Sequence, residues 1–361
     1  MSERAGKGSG GARAGQSLFI GVEGAELSAD ERRFIKRAQP GGFILFARNL
    51  QSPEQTQALL RSMQELLVEP CFFAIDQEGG RVDRLKQFMP PMPAMFKTAL
   101  RGEEAVRRHA AVSAHSLAAL GFNVNFAPVL DLFSPFRNAI EDRCFGCVPV
   151  DVAALGAAYL REIRRHGVSG TLKHFPGLGR GECDSHLELP VIPIKRAAFM
   201  KHDLLPFRKN VRNSPLAMVA HAFYPDFEKC DERPIPASLS RNIVTGLLRN
   251  ELGFDGLALT DDLMMGALKG FGEVDEISEL ALLAGCDMLL ICRGLENCEK
   301  AYRFLARRGP VALARHKAQS ARRIRRVKSA MKLHRQVAAF SPEAFSRAFA
   351  ETLEFTSWMA H

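Results

Sequence analysis

The sequence predicts an α/β fold, a single (β/α)8 barrel of the TIM type followed by a C-terminal helical extension, and three observations carry that reading. Eight short apolar runs recur along the chain, amphipathic stretches of helical period separate them, and ionisable residues gather where the runs end. Strands alternating with helices imply a parallel sheet, and eight such units in 361 residues imply a closed barrel. The rival architecture is an open doubly wound sheet, but no GxGxxG follows the first run.

In chain order the strand-length runs are SLFIGVEG (17–24), GFILFA (42–47), FFAID (72–76), VNFAPVLD (124–131), GTLKHF (170–175), LAMVAHA (216–222), GLALTDD (256–262) and DMLLIC (287–292). Gly, Pro or polar residues bound each of them. Between them, SPEQTQALLRSMQELL (52–67), DVAALGAAYLREIRRHG (151–167) and SRNIVTGLLRNELG (240–253) place apolar residues on one helical face. Ser52 with Pro53 and Glu54, and Ser240 ahead of its own run, are helix starts, because a hydroxyl accepts an orphan backbone N–H and proline fits the first turn. No compositional break interrupts the middle. The expected organisation is a disordered tail over 1–16, a catalytic barrel over 17–310, and a helical extension over 311–361 packed on the barrel.

Composition narrows the function classes. The formal net charge is +9, much of it in the N-terminal MSERAGKGSGGARAG and in RHKAQSARRIRRVKSAMKLHR (315–335). In the second stretch Ala, Ile, Val, Met and Leu recur between the basic residues, which reads as a surface helix with a solvated basic face. Three tyrosines and one tryptophan leave little for base stacking, so nucleic acid is not an expected partner. No apolar run reaches the ~20 residues of a membrane-spanning helix, and the N-terminus lacks the hydrophobic stretch of a secretory signal. Cys71, Cys144, Cys147, Cys183, Cys230, Cys286, Cys292 and Cys298 are scattered, several inside apolar runs, as reduced thiols of a cytoplasmic protein would be. The Cys144–Cys147 CxxC has no second pair at zinc spacing, and no metal or other cofactor is expected.

A barrel of this kind keeps its chemistry at the C-terminal ends of its strands. Those ends carry Asp76, Asp131, Lys173 with His174, His221, and Asp261 with Asp262. A strand-end Asp often only caps the next helix, and a lone His is often a hydrogen-bonded core residue; the convergence on one rim is what points to a site. The segment KHFPGLGRGECDSHLELP (173–190) adds Asp184 and His186 on backbone that Pro176, Gly177 and Gly179 exclude from helix.

Separated motifs complete the pattern: GGFILFARN (41–49), DQEGGRVDRL (76–85), GFNVNFAPVLDL (121–132), EDRCFG (141–146), KHFPG (173–177) with DSH (184–186), and LGFDGLALTDDLMMGA (252–267). Through them the sequence, from about Gly21 to about Arg325, resembles the bacterial family 3 glycoside hydrolases of the β-N-acetylhexosaminidase type, the cytoplasmic enzymes of cell-wall recycling. KHFPG with DSH and TDDLMM is the specific combination. The resemblance implies that Asp261 is the nucleophile, that His186 with Asp184 forms a loop-borne acid/base dyad, and that Asp76, Arg84, Arg143, Lys173 and His174 hold a terminal N-acetylglucosamine. It also implies a small-molecule carbohydrate substrate, an N-acetylglucosaminyl-anhydro-N-acetylmuramyl peptide, and a chain that works as a monomer or weak homodimer.

The chemistry suits those roles. Retaining hydrolysis needs one group to attack the anomeric carbon and another to protonate the departing oxygen, about 5–5.5 Å apart when both are carboxyls. A strand end holds Asp261 rigidly, and an imidazole with an ordinary pKa of about 6.5 gives and retakes a proton near neutrality. Asp184 can orient that imidazole as the carboxylate of a serine-protease triad does. Gly177, Gly179 and Gly181 would let the loop swing while Pro176 stiffens its base. Lys173 and His174 are consecutive, so strand alternation would part them, and a bulge or other irregularity is expected there. Asp262 reads as supporting or helix-capping, and Met264 and Met265 as lining or core.

One departure stands out: Leu178 occupies the place where many relatives carry a second histidine, KHFPGHG, which predicts altered loop packing or leaving-group preference. Cys183 beside the dyad is a nucleophile on paper only. Two other readings remain open: phosphorolysis on the same scaffold, since a histidine acid/base repels phosphate less than a carboxylate, and a barrel metallohydrolase using His174, His186, His221 and Asp261.

Overall fold

Each of the eight apolar runs contains a parallel strand: β1 (Leu18–Gly21), β2 (Gly42–Leu45), β3 (Phe72–Ile75), β4 (Val124–Asn125), β5 (Leu172–Phe175), β6 (Leu216–Val219), β7 (Leu257–Asp262) and β8 (Met288–Ile291). The computed structural model describes residues 14–133, 140–185, 187–228, 233–307 and 310–361, so expectations for residues 1–13, His186 and Cys230 lie outside the described residues. The strands form one sheet in the order β4-β3-β2-β1-β8-β7-β6-β5. Its two ends meet along an irregular seam. Asn125 N donates to Ser169 O at 2.8 Å, Thr171 N to Ala127 O at 2.8 Å and Leu130 N to Lys173 O at 2.7 Å, which closes the barrel.

A helix follows every strand. They are α1 (Ala29–Ala38), α2 (Pro53–Glu65), α3 (Glu103–Leu120), α4 (Pro149–Arg165), α5 (Asn242–Glu251), α6 (Val274–Ala284) and α7 (Leu295–Ala306), with the short helices Arg196–Lys201 and Leu205–Asn210 filling the place after β5. The expected starts hold: Ser52 Oγ accepts Gln55 N at 3.1 Å, and Ser240 Oγ accepts Ile243 N at 3.0 Å. Helix α5 is wound wider than an α-helix, with Leu252 N reaching back to Leu247 O at 2.9 Å.

Alternate strand residues fill the barrel. Phe19, Ile44, Phe72, Phe126, Leu216, Met218, Leu257, Leu259, Met288 and Leu290 form one interior cluster, as strand period dictates. Their neighbours face outward into a second cluster under the helices. The basic stretch does form a helix, α8 (Val311–Ala330), and a last helix α9 (Pro342–Ala360) follows. Ile324 and Val327 of α8 join the interior cluster, so its apolar stripe stoppers the N-terminal end of the barrel while Arg322, Arg325 and Arg326 face solvent. Lys328 departs from the solvated basic face, as does Arg323, which pairs with buried Asp287 at 3.0 Å. Lys328 is buried, bonds Gln16 Oε1 at 2.7 Å, and burial pushes its pKa down. No helix among the described residues is long and apolar enough to cross a membrane.

Candidate active site

At the C-terminal strand ends lies a cavity of about 620 Å³ whose wall includes Asp76, Glu78, Arg84, Arg143, Lys173, His174, Ser185 and Asp261. Lys173, at the end of β5, reaches across it. Its Nζ lies 2.8 Å from Asp76 Oδ1 and 2.5 Å from Glu78 Oε1. Arg143 grips Glu78 from the other side, Nε at 2.7 Å and Nη2 at 2.9 Å from the two carboxylate oxygens. Burial alone would raise the Glu78 carboxyl, but Arg143 and Lys173 outweigh it and hold the group well below the usual carboxylate range. Burial would likewise lower Arg143, yet Glu78 keeps it firmly protonated.

The turn that presents Glu78 is fixed from within. Gln77 donates to Asp83 Oδ1 at 2.8 Å and accepts from Arg84 N at 3.0 Å. Gly79 sits at φ +91, and a Cβ there would fall 2.3 Å from Pro93 O, so only glycine fits. Arg84 follows in the cavity wall with its guanidinium carbon 5.7 Å from the Phe46 ring centre and its Nε buried with no hydrogen-bond partner among the described residues.

The irregularity expected at Lys173–His174 is present. The β5–β6 register shifts between Leu172 and Phe175, the Lys173–His174 peptide is cis, and both side chains line the cavity. Fully buried Asp131 holds His174, its Oδ2 lying 2.7 Å from the ring Nδ1 and accepting the backbone N at 3.1 Å. The other Asp131 oxygen accepts Leu178 N at 2.6 Å.

Asp261 and Asp262 end β7. Asp262 N donates to Asp261 Oδ1 at 2.8 Å, while Asp262 Oδ1 accepts Met264 N at 3.2 Å and Cys292 N at 3.1 Å. Asp262 therefore ties β7 to β8, in keeping with the supporting role expected of it, and burial raises its pKa. Met264 and Met265 both line the cavity. His221 lies outside the wall. Its Nδ1 is 2.7 Å from Ser238 Oγ and its Nε2 3.0 Å from Asp262 O, and the engagement of both ring nitrogens removes it from the metal-ligand set considered above; burial lowers its pKa.

The 176–190 loop borders the same cavity. Ser185 is in the wall, and its carbonyl accepts Ala267 N at 3.1 Å, linking the loop to the chain just after Asp261. Half-buried Asp184 precedes it, with its carbonyl accepting Leu187 N at 2.9 Å; His186 itself lies outside the described residues. The first half of the loop is closely packed. Tyr224 OH donates to Gly177 O at 2.9 Å, Arg180 Nε is 2.9 Å from both Asp203 oxygens, and a Cβ on Gly179 would lie 2.1 Å from Leu132 O. Close approach, not the hinge freedom expected from sequence, is what Gly179 supplies. Leu178 is buried in the wall. For Cys183, burial and the nearby carboxylates raise the thiol pKa, the reverse of an activated nucleophile.

Sequence reasoning gave Glu78 no role, although it stands two residues beyond Asp76, where extended backbone returns a side chain to the same side. Arg48 and Ser185 in the wall were also unassigned. Arg48 stacks 4.7 Å from the Phe46 ring centre and donates to Cys292 O at 2.7 Å.

A closed parallel barrel with carboxylates, cations and a His–Asp pair facing one strand-end cavity is an enzyme of the class that clamps polar, multiply hydroxylated substrates. Residues 13–327 match the glycosyl hydrolase family 3 N terminal domain, and the chain belongs to that family of glycoside hydrolases. It is similar to a beta-hexosaminidase from Alkalilimnicola ehrlichii, 37% identical over 303 residues that cover 82% of this chain and 86% of the relative. A beta-hexosaminidase from Pseudomonas aeruginosa is 35% identical over 293 residues, covering 81% and 86%. Among solved structures, NagZ from Neisseria gonorrhoeae in complex with N-trifluoroacetyl-D-glucosamine superposes with TM-score 0.76 at 28% identity, covering 94% of this chain and 97% of the other. A family 3 beta-N-acetylglucosaminidase from Paenibacillus gives TM-score 0.82 at 32% identity, covering 95% and 67%.

Proposed function

We propose that the enzyme is a retaining exo-β-N-acetylglucosaminidase that removes terminal, non-reducing β-linked N-acetylglucosamine from muropeptides released in the cytoplasm during cell-wall recycling. The observation that carries this reading is the placement of Asp261 in one cavity with the Asp76–Lys173–Glu78–Arg143 lattice and His174. The names of the relatives support the sugar specificity.

Asp76, Arg84, Arg143, Lys173 and His174 position the pyranose. An Asp261 oxygen bonds to the anomeric carbon as the glycosidic C–O bond breaks, and the departing oxygen takes a proton from His186, oriented by Asp184. Water then gives a proton to His186 and its oxygen to the anomeric carbon, freeing Asp261. Glu78 keeps Lys173 and Arg143 in place.

The test is a panel of β-glycosides assayed with and without phosphate, with the product anomer followed by NMR. The expected result is free N-acetylglucosamine appearing first as the β-anomer and indifferent to phosphate. A sugar 1-phosphate product would replace hydrolysis by phosphorolysis, and an α-anomer would remove the glycosyl-aspartate route. Loss of activity in His186→Ala should be much larger on poor leaving groups than on activated aryl ones.

A further inference from the structure

Away from the cavity, a chain of titratable groups joins three helices. His115 of α3 bonds through Nδ1 to the Glu351 carboxylate of α9, and its Nε2 lies 2.8 Å from Nδ1 of His166, just past the end of α4. The remaining nitrogen of His166 is 3.2 Å from Glu162 Oε1 on α4. An ionised carboxylate only accepts, so each outer ring nitrogen must donate. Each imidazole is then left with one lone pair, on nitrogens that lie 2.8 Å apart between rings crossing at 85°. A proton held between the rings would give the pair one shared positive charge between two carboxylates.

Other contacts fasten α9 as well, including Phe345 against Phe88. Phe355 packs with Met92 and Val112 in a small cluster apart from the main core, and Thr352 Oγ1 lies 3.4 Å from Ser116 Oγ. Arg108 pairs with Glu354 at 3.2 Å and stacks 4.6 Å from the Trp358 ring centre, with Arg101 at 5.5 Å. Arg107 and Arg165 face Glu162 at 3.2 and 3.4 Å and complete the charged surroundings.

What α9 rests on leads to the active site. The Phe355 ring meets His109 of α3 edge-on at 5.9 Å between centres. Fully buried His109, whose pKa burial pushes down to about 4, in turn abuts the Gly79 turn: its Nε2 would lie 2.9 Å from a Cβ there. We propose that the His115–His166 pair is a proton-operated latch that holds α9 against α3 and so braces the turn that carries Glu78. As pH rises through the imidazole range the shared proton leaves, the lone pairs repel, and α9 loosens.

Trp358, the single tryptophan of the chain, sits on α9 and reports the latch directly. Titrated from about pH 5.5 to about 8.5, the wild type should show a red shift of emission and severalfold stronger acrylamide quenching along one sigmoid. The double variant His115→Ala, His166→Ala, which removes both rings and leaves nothing to hold the shared proton, should show no transition while circular dichroism reports a native fold. A flat wild-type trace, or the same transition in the variant, overturns the latch. Abolition of the transition by EDTA overturns it too, by placing a metal ion between the rings.

A kinetic arm rests on the hydrolase reading, which the fluorescence does not. With an aryl β-N-acetylglucosaminide, kcat/KM of the double variant should be about a third of wild type or less at pH 6, through KM, and equal to it at pH 8.5, where neither is latched. A ratio that does not change with pH overturns the brace.

Discussion

The two halves of segment 173–190 meet one cavity by different means. Lys173 and His174 are held by buried carboxylates: Asp76 and Glu78 on the first, Asp131 on the second. From Gly177 to Ser185 the chain is held through its backbone, by Asp131 on Leu178 N, Tyr224 on Gly177 O and the approach of Gly179 to Leu132 O, with the Arg180–Asp203 ion pair beside them. The first half is an electrostatic lattice, in which every buried charge depends on its partners. The second depends on the path of the main chain. Substitutions should therefore act through charge in one half and through shape in the other.

Asp261 faces both halves, and its removal carries the largest expected effect. Asp261→Ala should lower kcat on an aryl β-N-acetylglucosaminide by about a thousandfold or more with an unchanged unfolding midpoint. Near-normal turnover would take the nucleophile away from β7.

Within the lattice, Glu78→Gln leaves Lys173 and Arg143 buried with one carboxylate fewer. Urea unfolding should show a loss of about 3–5 kcal/mol together with a raised KM. A loss below about 1 kcal/mol would break the comparison, because the lattice would then be no more demanding than a surface ion pair. The same group sets an acid limb. Its native pKa is depressed, so its contribution is whole above the ordinary glutamate value of about 4.3 and is lost as pH falls from there toward the native value. The stability gap between wild type and Glu78→Gln should thus narrow below about pH 4; a gap that stays constant would show that Glu78 acts through shape.

The contrast also explains what the sequence could show. Strand spacing revealed all eight strands, and with them the rim where Asp76, Lys173, His174 and Asp261 meet, because period and strand-end position are local properties. Glu78 was invisible as a partner: its meaning comes from Lys173 and Arg143, which chain folding alone brings to it. The glycines after Pro176 misled for a related reason. Sequence shows that glycine is allowed to bend, whereas the carbonyl of Leu132 beside Gly179 belongs to a distant stretch of chain. Likewise the basic run announced a helix but not that Ile324 and Val327 would close the barrel.

Two neighbouring substitutions separate shape from chemistry in the loop. Gly179→Ala pushes a methyl into the Leu132 carbonyl, so the loop must shift; a cost of about 1–3 kcal/mol and a clear fall in kcat/KM are expected. Leu178→His should do much less. The Leu178 N–H bond to Asp131 involves backbone alone and survives the change, so the loop keeps its path. What changes is a buried apolar patch of the cavity wall, which gains a ring nitrogen. The expected result is kcat/KM within about tenfold of wild type on aryl substrates, with any larger shift confined to natural leaving groups. If Leu178→His were instead as damaging as Gly179→Ala on every substrate, the loop would be held by its side chains after all, and the division between the two halves would fail.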